Sequence, residues 1–312
     1  MTGARLKKWA KRPGVFVLVM VFLLLFVVLP VGGSFLITSS FRFPDRGPSD
    51  PAQFGLEVED VEFQSSDGIR LTGWWSSGEE GYPVIAFVHG LNRSRIELLE
   101  RAAESRKKGY GVLLMDLRNH GASGDAYTTL GVHESRDVCA ASEFIAREAP
   151  GRPAVLWGVS LGASTALLAA SRCRQYRAAI ADSAFLSFEE TVTHHFRLIF
   201  PLPDFPIANM VVLITRLRMG FDLEEGDVEA AVRSRSDMPV LFIAGGRDVR
   251  MPAELAERLY EASAHAGSRL LVIESATHGQ AFREDRDKYL DMAFDFLERV
   301  LPLPSLADEI DP

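Results

Sequence analysis

Residues 154–172 read AVLWGVSLGASTALLAASR, a short apolar run followed by a longer segment with apolar residues at helical spacing. The run 154–157 predicts a buried strand, and 161–172 predicts a helix. The turn between them matches the pattern G-x-S-x-G, which by itself is short enough to arise by chance. Its position gives it weight, because a sharp strand-to-helix turn lifts the serine hydroxyl beyond the end of the strand. Ser160 is therefore the candidate nucleophile, and its alternative role is that of an ordinary helix N-cap.

Other short apolar runs on both sides of this stretch predict further strands. They are continuous rather than alternating, which is typical of parallel strands covered on both faces. They lie at residues 83–88, 111–115, 178–180, 240–244 and 270–273. Segments with apolar residues three and four apart separate most of these runs and predict crossover helices. The predicted helices lie at residues 95–108, 132–147, 253–264 and 285–300.

The segments before these runs differ in kind. Residues 56–64 alternate between acidic and apolar, and residues 69–76 follow an Asp67-Gly68 turn, which together predict an antiparallel hairpin. The chain is therefore predicted to adopt an α/β fold with a mostly parallel sheet, an N-terminal antiparallel hairpin and helices on both faces.

One interval, residues 183–238, is much longer than an ordinary crossover between strands. Its middle is rich in apolar residues, several of them at helical spacing, and it predicts a small helical cap. The residues with this spacing are Ile207, Met210, Val211, Ile214 and Leu217.

A serine hydroxyl needs a base to accept its proton, and imidazole has a suitable affinity at neutral pH. Among the seven histidines, His278 is the best placed. It directly follows the last predicted strand, at the edge where ligands bind in open α/β sheets. The imidazole in turn needs a carboxylate to fix its tautomer. Asp248, after the strand 240–244, is the candidate, and Asp182, at the end of the preceding strand, is the alternative.

Attack on a carbonyl group would place negative charge on its oxygen, which preorganised N–H groups can stabilise. The donors expected here are the N–H groups of Leu161, directly after the candidate nucleophile, and of Leu91, in the loop after the strand 83–88. In that loop Gly90 lets the backbone approach closely, and we interpret the neighbouring His89 as a brace for the loop rather than a base.

The segment 15–37 is apolar and uncharged, long enough to cross the hydrocarbon core of a bilayer, and lacks the polar stripe of a soluble helix. It predicts an uncleaved membrane anchor. The alternative is a signal peptide cleaved near Val31-Gly32-Gly33. Five basic and no acidic residues precede the segment, which favours a cytoplasmic N-terminus and an exported body.

Composition limits the remaining possibilities. The chain has 34 basic and 42 acidic residues, and the basic N-terminus makes the rest more acidic still. Such a body repels phosphate backbones, so nucleic acid is not an expected partner. The two cysteines, Cys139 and Cys173, exclude a disulfide framework, and the sequence does not show whether they pair.

Taken in order, these motifs resemble the α/β-hydrolase superfamily, and most of all the membrane-anchored serine hydrolases of its BEM46-like branch, with relatives among the S33-type aminopeptidase-like proteins. The resemblance covers about residues 55–300 and includes the chain order Ser160, Asp248, His278. It rests on the turn at Ser160 and on residues 89–90, 116–124, 131–137, 246–252 and 278–279. Asn119 and Gly245 depart from the residues common in such proteins, and neither departure removes a candidate catalytic group.

The resemblance and the residues together imply a serine hydrolase of the carboxylesterase or acylhydrolase kind, which needs no metal or organic cofactor. The expected substrate is a small-molecule or lipid-like acyl compound, and the membrane is contacted through the N-terminal helix. Two alternatives are a peptidase or amidase of the same fold and a non-catalytic, membrane-tethered binding protein. The predicted layout is a basic cytoplasmic N-terminus (1–14), a membrane span (15–37), a tether (38–54), a hydrolase domain (55–301) and an acidic tail (302–312).

Overall fold

The computed structural model describes residues 13–39, 49–200 and 203–301. Residues 1–12 of the predicted basic N-terminus, 40–48 of the predicted tether and the whole predicted acidic tail, 302–312, lie outside the described residues. Within the described part, a 3-10 turn, Pro51–Phe54, directly precedes the sheet domain.

The centre of the fold is an eight-stranded sheet with the strand order β1-β2-β4-β3-β5-β6-β7-β8. The first two strands form an antiparallel hairpin at one edge, β2 also pairs antiparallel with β4, and every later pairing is parallel. The strands are β1 (Glu59–Gln64), β2 (Arg70–Ser76), β3 (Val84–Val88), β4 (Gly111–Asp116), β5 (Ala154–Val159), β6 (Tyr176–Asp182), β7 (Val240–Gly245) and β8 (Arg269–Ile273). The predicted α/β architecture with its edge hairpin is confirmed.

Helices cover both faces of the sheet, as the continuous apolar strands require. In β3, Val84, Ala86 and Val88 join the core on one face, whereas Ile85 and Phe87 join the core on the other. The described helices are α1 (Pro13–Thr38), α2 (Leu99–Lys107), α3 (Glu134–Glu148), α4 (Leu161–Arg172), α5 (Phe188–Ile199), α6 (Ile207–Met219), α7 (Val228–Arg233), α8 (Ala253–Ala262), α9 (Ala281–Glu284) and α10 (Arg286–Val300). Helices α3, α4 and α8 contribute to the first core and α2 and α10 to the second.

Several element boundaries differ by a few residues from the sequence expectation, and two of these differences have a clear structural cause. Strand β6 extends beyond the predicted 178–180, because its pairing with β5 continues past the apolar run to Tyr176 and Asp182. The segment predicted as one helix over 95–108 begins instead with a 3-10 turn, Arg95–Leu98, in which the Ser94 side chain accepts a hydrogen bond from the N–H of Ile96.

Between β6 and β7 the chain forms α5, α6, a 3-10 turn (Leu223–Gly226) and α7. We call α5 and α6 the cap; they pack against each other, and α6 also packs against the last third of α1. Helix α1 is long and apolar enough to cross a membrane by length and composition, and most of it is exposed. Cys139 on α3 and Cys173 after α4 form a disulfide, with their Cα atoms 5.7 Å apart.

Candidate active site

Ser160 lies in the sharp turn between β5 and α4, at the carboxyl edge of the parallel strands. Its backbone has a φ of 54° and a ψ of −118°, a region that non-glycine residues rarely occupy. A β-carbon at Gly162 would collide with the carbonyl group of Val88, and one at Gly158 would collide with the backbone of Gly162. Ser160 makes no side-chain capping hydrogen bond to α4, so the alternative of an ordinary N-cap is wrong.

Two consecutive short hydrogen bonds link the hydroxyl of Ser160 to His278 and His278 to Asp248. Oγ of Ser160 lies 2.8 Å from Nε2 of His278, and Nδ1 of His278 lies 2.7 Å from Oδ2 of Asp248. A carboxylate oxygen only accepts, so Nδ1–H donates to Asp248 and the unprotonated Nε2 faces the hydroxyl. The structure therefore brings together three residues that are far apart in the sequence.

Two neighbouring loops hold the aspartate and the histidine in place. The second oxygen of Asp248, Oδ1, accepts the N–H groups of Arg250 and Met251 at 2.9 Å each. The loop of Asp248 is linked to the loop of His278 by the N–H of Arg247, which donates to the carbonyl of Ala276 at 2.9 Å. The Asp248 side chain is fully buried, whereas 14% of the His278 side chain is exposed. The imidazole is thus the part of the pair that solvent reaches.

Asp182, the alternative acid, lies at the end of β6 but does not hydrogen-bond His278. Its carboxylate accepts the hydroxyls of Ser183, at 2.9 Å, and Tyr289, at 3.1 Å, and lies 3.8 Å from the Arg101 guanidinium. Burial raises the pKa of Asp182, and the positive charge of Arg101 opposes that effect. The Ser183 hydroxyl in turn accepts the N–H of Gly279, next to His278, at 3.3 Å. Through Ser183, Asp182 therefore helps to fix the loop that carries His278.

The loop after β3, which carries Leu91, lies against the serine turn, and Leu161 directly follows Ser160 at the start of α4. A β-carbon added at Gly90 would lie 3.6 Å from Cβ of Ser160. The Gly90 N–H is fixed by Oε2 of Glu97 at 2.7 Å. Glu97 has no motif around it, and sequence reasoning missed it because the contact joins a loop to the following 3-10 turn.

His89 is fully buried beneath the same loop and has no hydrogen bond to Ser160. Its Nδ1–H donates to the carbonyl of Gly90 at 2.8 Å, and its Nε2 accepts the N–H of Leu117 at 3.0 Å. The bond from Leu117 needs the neutral ring, because a protonated Nε2 could not accept it. Burial, helped by the nearby His120, lowers the pKa of His89 to about 4.

The stability of the fold should therefore depend on pH through His89. Between pH 4 and 6.5 the unfolded chain binds the His89 proton and the folded chain does not, so this contribution is complete above pH 6.5 and is lost as the pH falls to 4. We expect a loss of about 3 kcal/mol across this window, absent from His89→Gln, which cannot titrate. Denaturant unfolding of both proteins at several pH values measures the difference. Parallel pH profiles would contradict the prediction.

The cap reaches the same sheet edge through α5. Nε2 of His194 donates to the carbonyl of Val249, next to Asp248, at 3.0 Å. His195 on the same helix donates to the carbonyl of Thr191, and burial lowers the pKa of His195. Neither histidine had a local sequence signal for this position. Within the described residues, no group of three or more His, Cys, Asp or Glu side chains is arranged to hold a metal ion.

A parallel sheet of this order, with a strained serine turn after β5, defines the class of α/β hydrolases. The comparisons agree, and the chain belongs to the α/β-hydrolase superfamily, as its motifs predicted. The family model described as serine aminopeptidase, S33, matches residues 81–226.

Three similar proteins span most of the chain. The uncharacterized protein Rv2307c of Mycobacterium tuberculosis is 30% identical over 265 residues, which cover 82% of this chain and 85% of that protein. The esterase Pf2001 of Pyrococcus furiosus is 25% identical, with a TM-score of 0.69, over 84% of this chain and 98% of the esterase. The acylaminoacyl peptidase of Pyrococcus horikoshii is 19% identical, with a TM-score of 0.60, over 80% of this chain and 42% of the peptidase. The chain is thus a hydrolase by family.

Proposed function

We propose that this protein is a serine hydrolase that cleaves a carboxylic ester or a related acyl bond through an acyl-enzyme on Ser160. The observation that carries the proposal is the continuous chain of short hydrogen bonds from Ser160 through His278 to Asp248. This arrangement turns a weakly nucleophilic hydroxyl into a reactive one without another ionisable group.

In the proposed reaction, Nε2 of His278 takes the hydroxyl proton as Oγ of Ser160 attacks the carbonyl carbon. Asp248 stabilises the imidazolium that results. The N–H groups of Leu161 and Leu91 are proposed to stabilise the tetrahedral oxyanion. His278 then gives its proton to the leaving group, and an acyl-enzyme remains. Water, deprotonated by the same imidazole, attacks the acyl carbon and releases the acid.

An ester is favoured over a peptide by the extent of the structural similarity. The likeness covers 98% of the Pyrococcus furiosus esterase but only 42% of the acylaminoacyl peptidase. A peptidase or amidase of the same fold is the second candidate, since the matching family model is that of a serine aminopeptidase.

A fluorophosphonate probe should label the wild-type protein at Ser160, because such probes need an activated serine. Ser160→Ala should lose all labelling. Ser171→Ala is the matched control, since Ser171 lies on α4 and bonds only its own helix through the carbonyl of Leu168. Labelling that survives in Ser160→Ala would contradict the assignment of Ser160 as the nucleophile, and no labelling of correctly folded wild type would favour the non-catalytic alternative. Rates on p-nitrophenyl esters and p-nitroanilides then separate esterase from amidase.

The proposed substrate is an amphiphilic or lipid-like acyl compound, because the cap contacts the loop that carries Asp248 and the apolar anchor packs against the cap. In a series of p-nitrophenyl esters, kcat/KM should rise as the acyl chain lengthens from acetate. Preference for acetate with no gain on lengthening would contradict an acyl-binding pocket while leaving the serine mechanism intact.

We further propose that α1 anchors the protein as a single-pass span, with the hydrolase domain on the extracytoplasmic side. The five basic residues before the span support this orientation. The bridge between Cys139 and Cys173 supports it independently, because disulfides form and persist in oxidising compartments.

Cys139 and Cys173 should accordingly not react with maleimide when the unreduced protein is denatured, and they should react only after reduction. Replacing both cysteines by serine should lower the free energy of unfolding by about 4 kcal/mol, since the bridge closes a loop of 34 residues in the unfolded chain. Alkylation with mass detection tests the first expectation, and denaturant titration of both proteins the second. Free thiols at Cys139 and Cys173 in protein isolated under acid quench would indicate a reducing compartment. That result would contradict the proposed extracytoplasmic location of the domain.

A further inference from the structure

The anchor helix does not simply end at the membrane; its last third is packed on the cap. Ser34 is buried, and its Oγ lies 2.9 Å from Oγ1 of Thr215 and 2.6 Å from the guanidinium of Arg218, both on α6. At the end of α1, the carbonyl of Thr38 accepts the N–H of Thr128 at 2.9 Å. These contacts fix the cap relative to the anchor.

Helix geometry gives the depth in the bilayer of the contact between Ser34 and α6. The apolar span extends to Ile37, and at about 1.5 Å per residue Ser34 lies only about 5 Å below that end. A span of this length covers a hydrocarbon core of about 30 Å with little to spare. Helix α6, which touches Ser34, is therefore held at the boundary between hydrocarbon and headgroups.

The free side of α6 is apolar. Met210, Leu213, Ile214 and Leu217 are three and four residues apart and share one face, next to the face that contacts α1. Leu213 is 48% exposed and Leu217 is 70% exposed. A helix facing water would carry polar residues at these positions.

Further exposed apolar side chains lie at or next to the end of α5 and before the start of α6. They are Leu198, Ile199, Phe200 and Phe205. Together with the four residues of α6 they form what we call the cap patch. A cluster of large exposed apolar residues of this kind is typical of an interaction site rather than of a solvated surface.

Polar and aromatic groups mark the level where the bilayer would end. The Arg218 guanidinium lies 3.5 Å from the ring centre of Phe35 and 5.6 Å from that of Tyr127, and Tyr127 is 52% exposed. Aromatic rings and arginine are enriched at the headgroup level of membranes. Their position beside Ser34 agrees with the boundary that the helix geometry gives.

We propose that the cap patch is inserted into the outer leaflet of the bilayer that holds α1, so that its partner is lipid. This inference rests on the proposal that α1 spans the membrane. It gives the site a direct relation to the bilayer, because α5 ends in the patch and also bonds Val249, beside Asp248, through His194. Helix α5 thus connects the cap patch with the loop that carries Asp248.

The full chain in lipid nanodiscs, with a nitroxide attached at single introduced cysteines, tests this directly. We expect spin labels at Leu213→Cys and Leu217→Cys to be relaxed by oxygen and shielded from a water-soluble nickel chelate. The ratio of relaxation by oxygen to relaxation by the nickel chelate should be about tenfold higher for these two labels than for a label at Glu80→Cys. Glu80 is exposed in the turn before β3, at the sheet edge opposite the cap. A label at Val19→Cys, in the first third of the span, reports whether the anchor is inserted.

If the label at Val19 were in lipid and the labels at Leu213 and Leu217 were accessible to the nickel chelate, the inference about the cap patch would be wrong. The proposal that α1 spans the membrane would still hold. Spin–spin broadening between copies at Leu213 would also overturn it, by showing that a second protein molecule covers the patch. Circular dichroism and thermal unfolding of each variant confirm that its fold is intact. Because the depth measurement uses no substrate, its outcome is independent of whether the protein hydrolyses esters.

Discussion

Ser160→Ala and His278→Ala should each lower kcat by about a millionfold, and the double variant should be no slower than either single one. The reason is the 2.8 Å bond between Oγ of Ser160 and Nε2 of His278. Neither group can act without the other, so removing one already removes the whole nucleophilic step. The N–H donors and the substrate-binding surfaces remain, and they should preserve a small residual rate.

Steady-state kinetics on an activated ester, with active-site titration of the wild type, measures these effects. Circular dichroism and thermal unfolding show whether each variant keeps the fold. Additive losses in the double variant would mean that the two side chains act in separate steps. That result would contradict the proposed mechanism even if both single variants were slow.

Asp248→Asn should lower kcat by about 10⁴-fold while leaving the fold nearly unchanged. Oδ1 of the asparagine can still accept the N–H groups of Arg250 and Met251, which fix the loop. The amide NH₂ would then face Nδ1 of His278 at the position of the present carboxylate oxygen. It favours the tautomer that carries its proton on Nε2, and that tautomer cannot accept the serine proton.

Asp182→Asn is the matched comparison. We expect this substitution to lower the free energy of unfolding and to have little effect on kcat. It leaves the buried guanidinium of Arg101 without its carboxylate, so we expect a loss of roughly 3 kcal/mol in the free energy of unfolding. Because Asp182 does not hydrogen-bond the imidazole, kcat should stay within about tenfold of wild type. If Asp182→Asn were as slow as Asp248→Asn in a stable protein, the assignment of the acid would be wrong.

Local sequence patterns were enough to predict the fold and the position of Ser160. The predicted helix over 161–172 has the same ends as α4, because the serine turn defines its start and its apolar spacing stops at Arg172. The predicted strands differ from the observed ones by a few residues at most. Both kinds of element depend on side chains close together in the chain, which a sequence pattern shows directly.

The choice between the two aspartates required the structure. Asp182 and Asp248 both follow apolar runs that end at the same sheet edge, so the sequence favoured Asp248 and kept Asp182 as the alternative. Asp182 is still part of β6, and its side chain is buried against Tyr289. Asp248 lies beyond the end of β7, in a turn that directs its carboxylate toward the imidazole. Such side-chain directions depend on contacts between distant segments, 30 residues apart for Asp248 and His278 and 107 residues apart for Asp182 and Tyr289.

The docking of the anchor on the cap likewise had no local signal. Ser34 and Thr215 are separated by 181 residues, and serine or threonine in an apolar helix is too common to indicate a partner. Sequence patterns predicted both helices, but only their packing shows that they touch.

The crowding around Gly158 and Gly162 limits how this protein can acquire new specificities. A larger residue at Gly158 would press on the backbone of the serine turn, and one at Gly162 would press on Val88 and His89, so single substitutions there are closed to selection. The exposed side chains of the two cap helices do not meet the backbone of the site in this way. Divergence among descendants of this protein should therefore accumulate at the exposed positions of Phe188–Ile199 and Ile207–Met219, and a laboratory library at those positions would leave the serine turn unchanged.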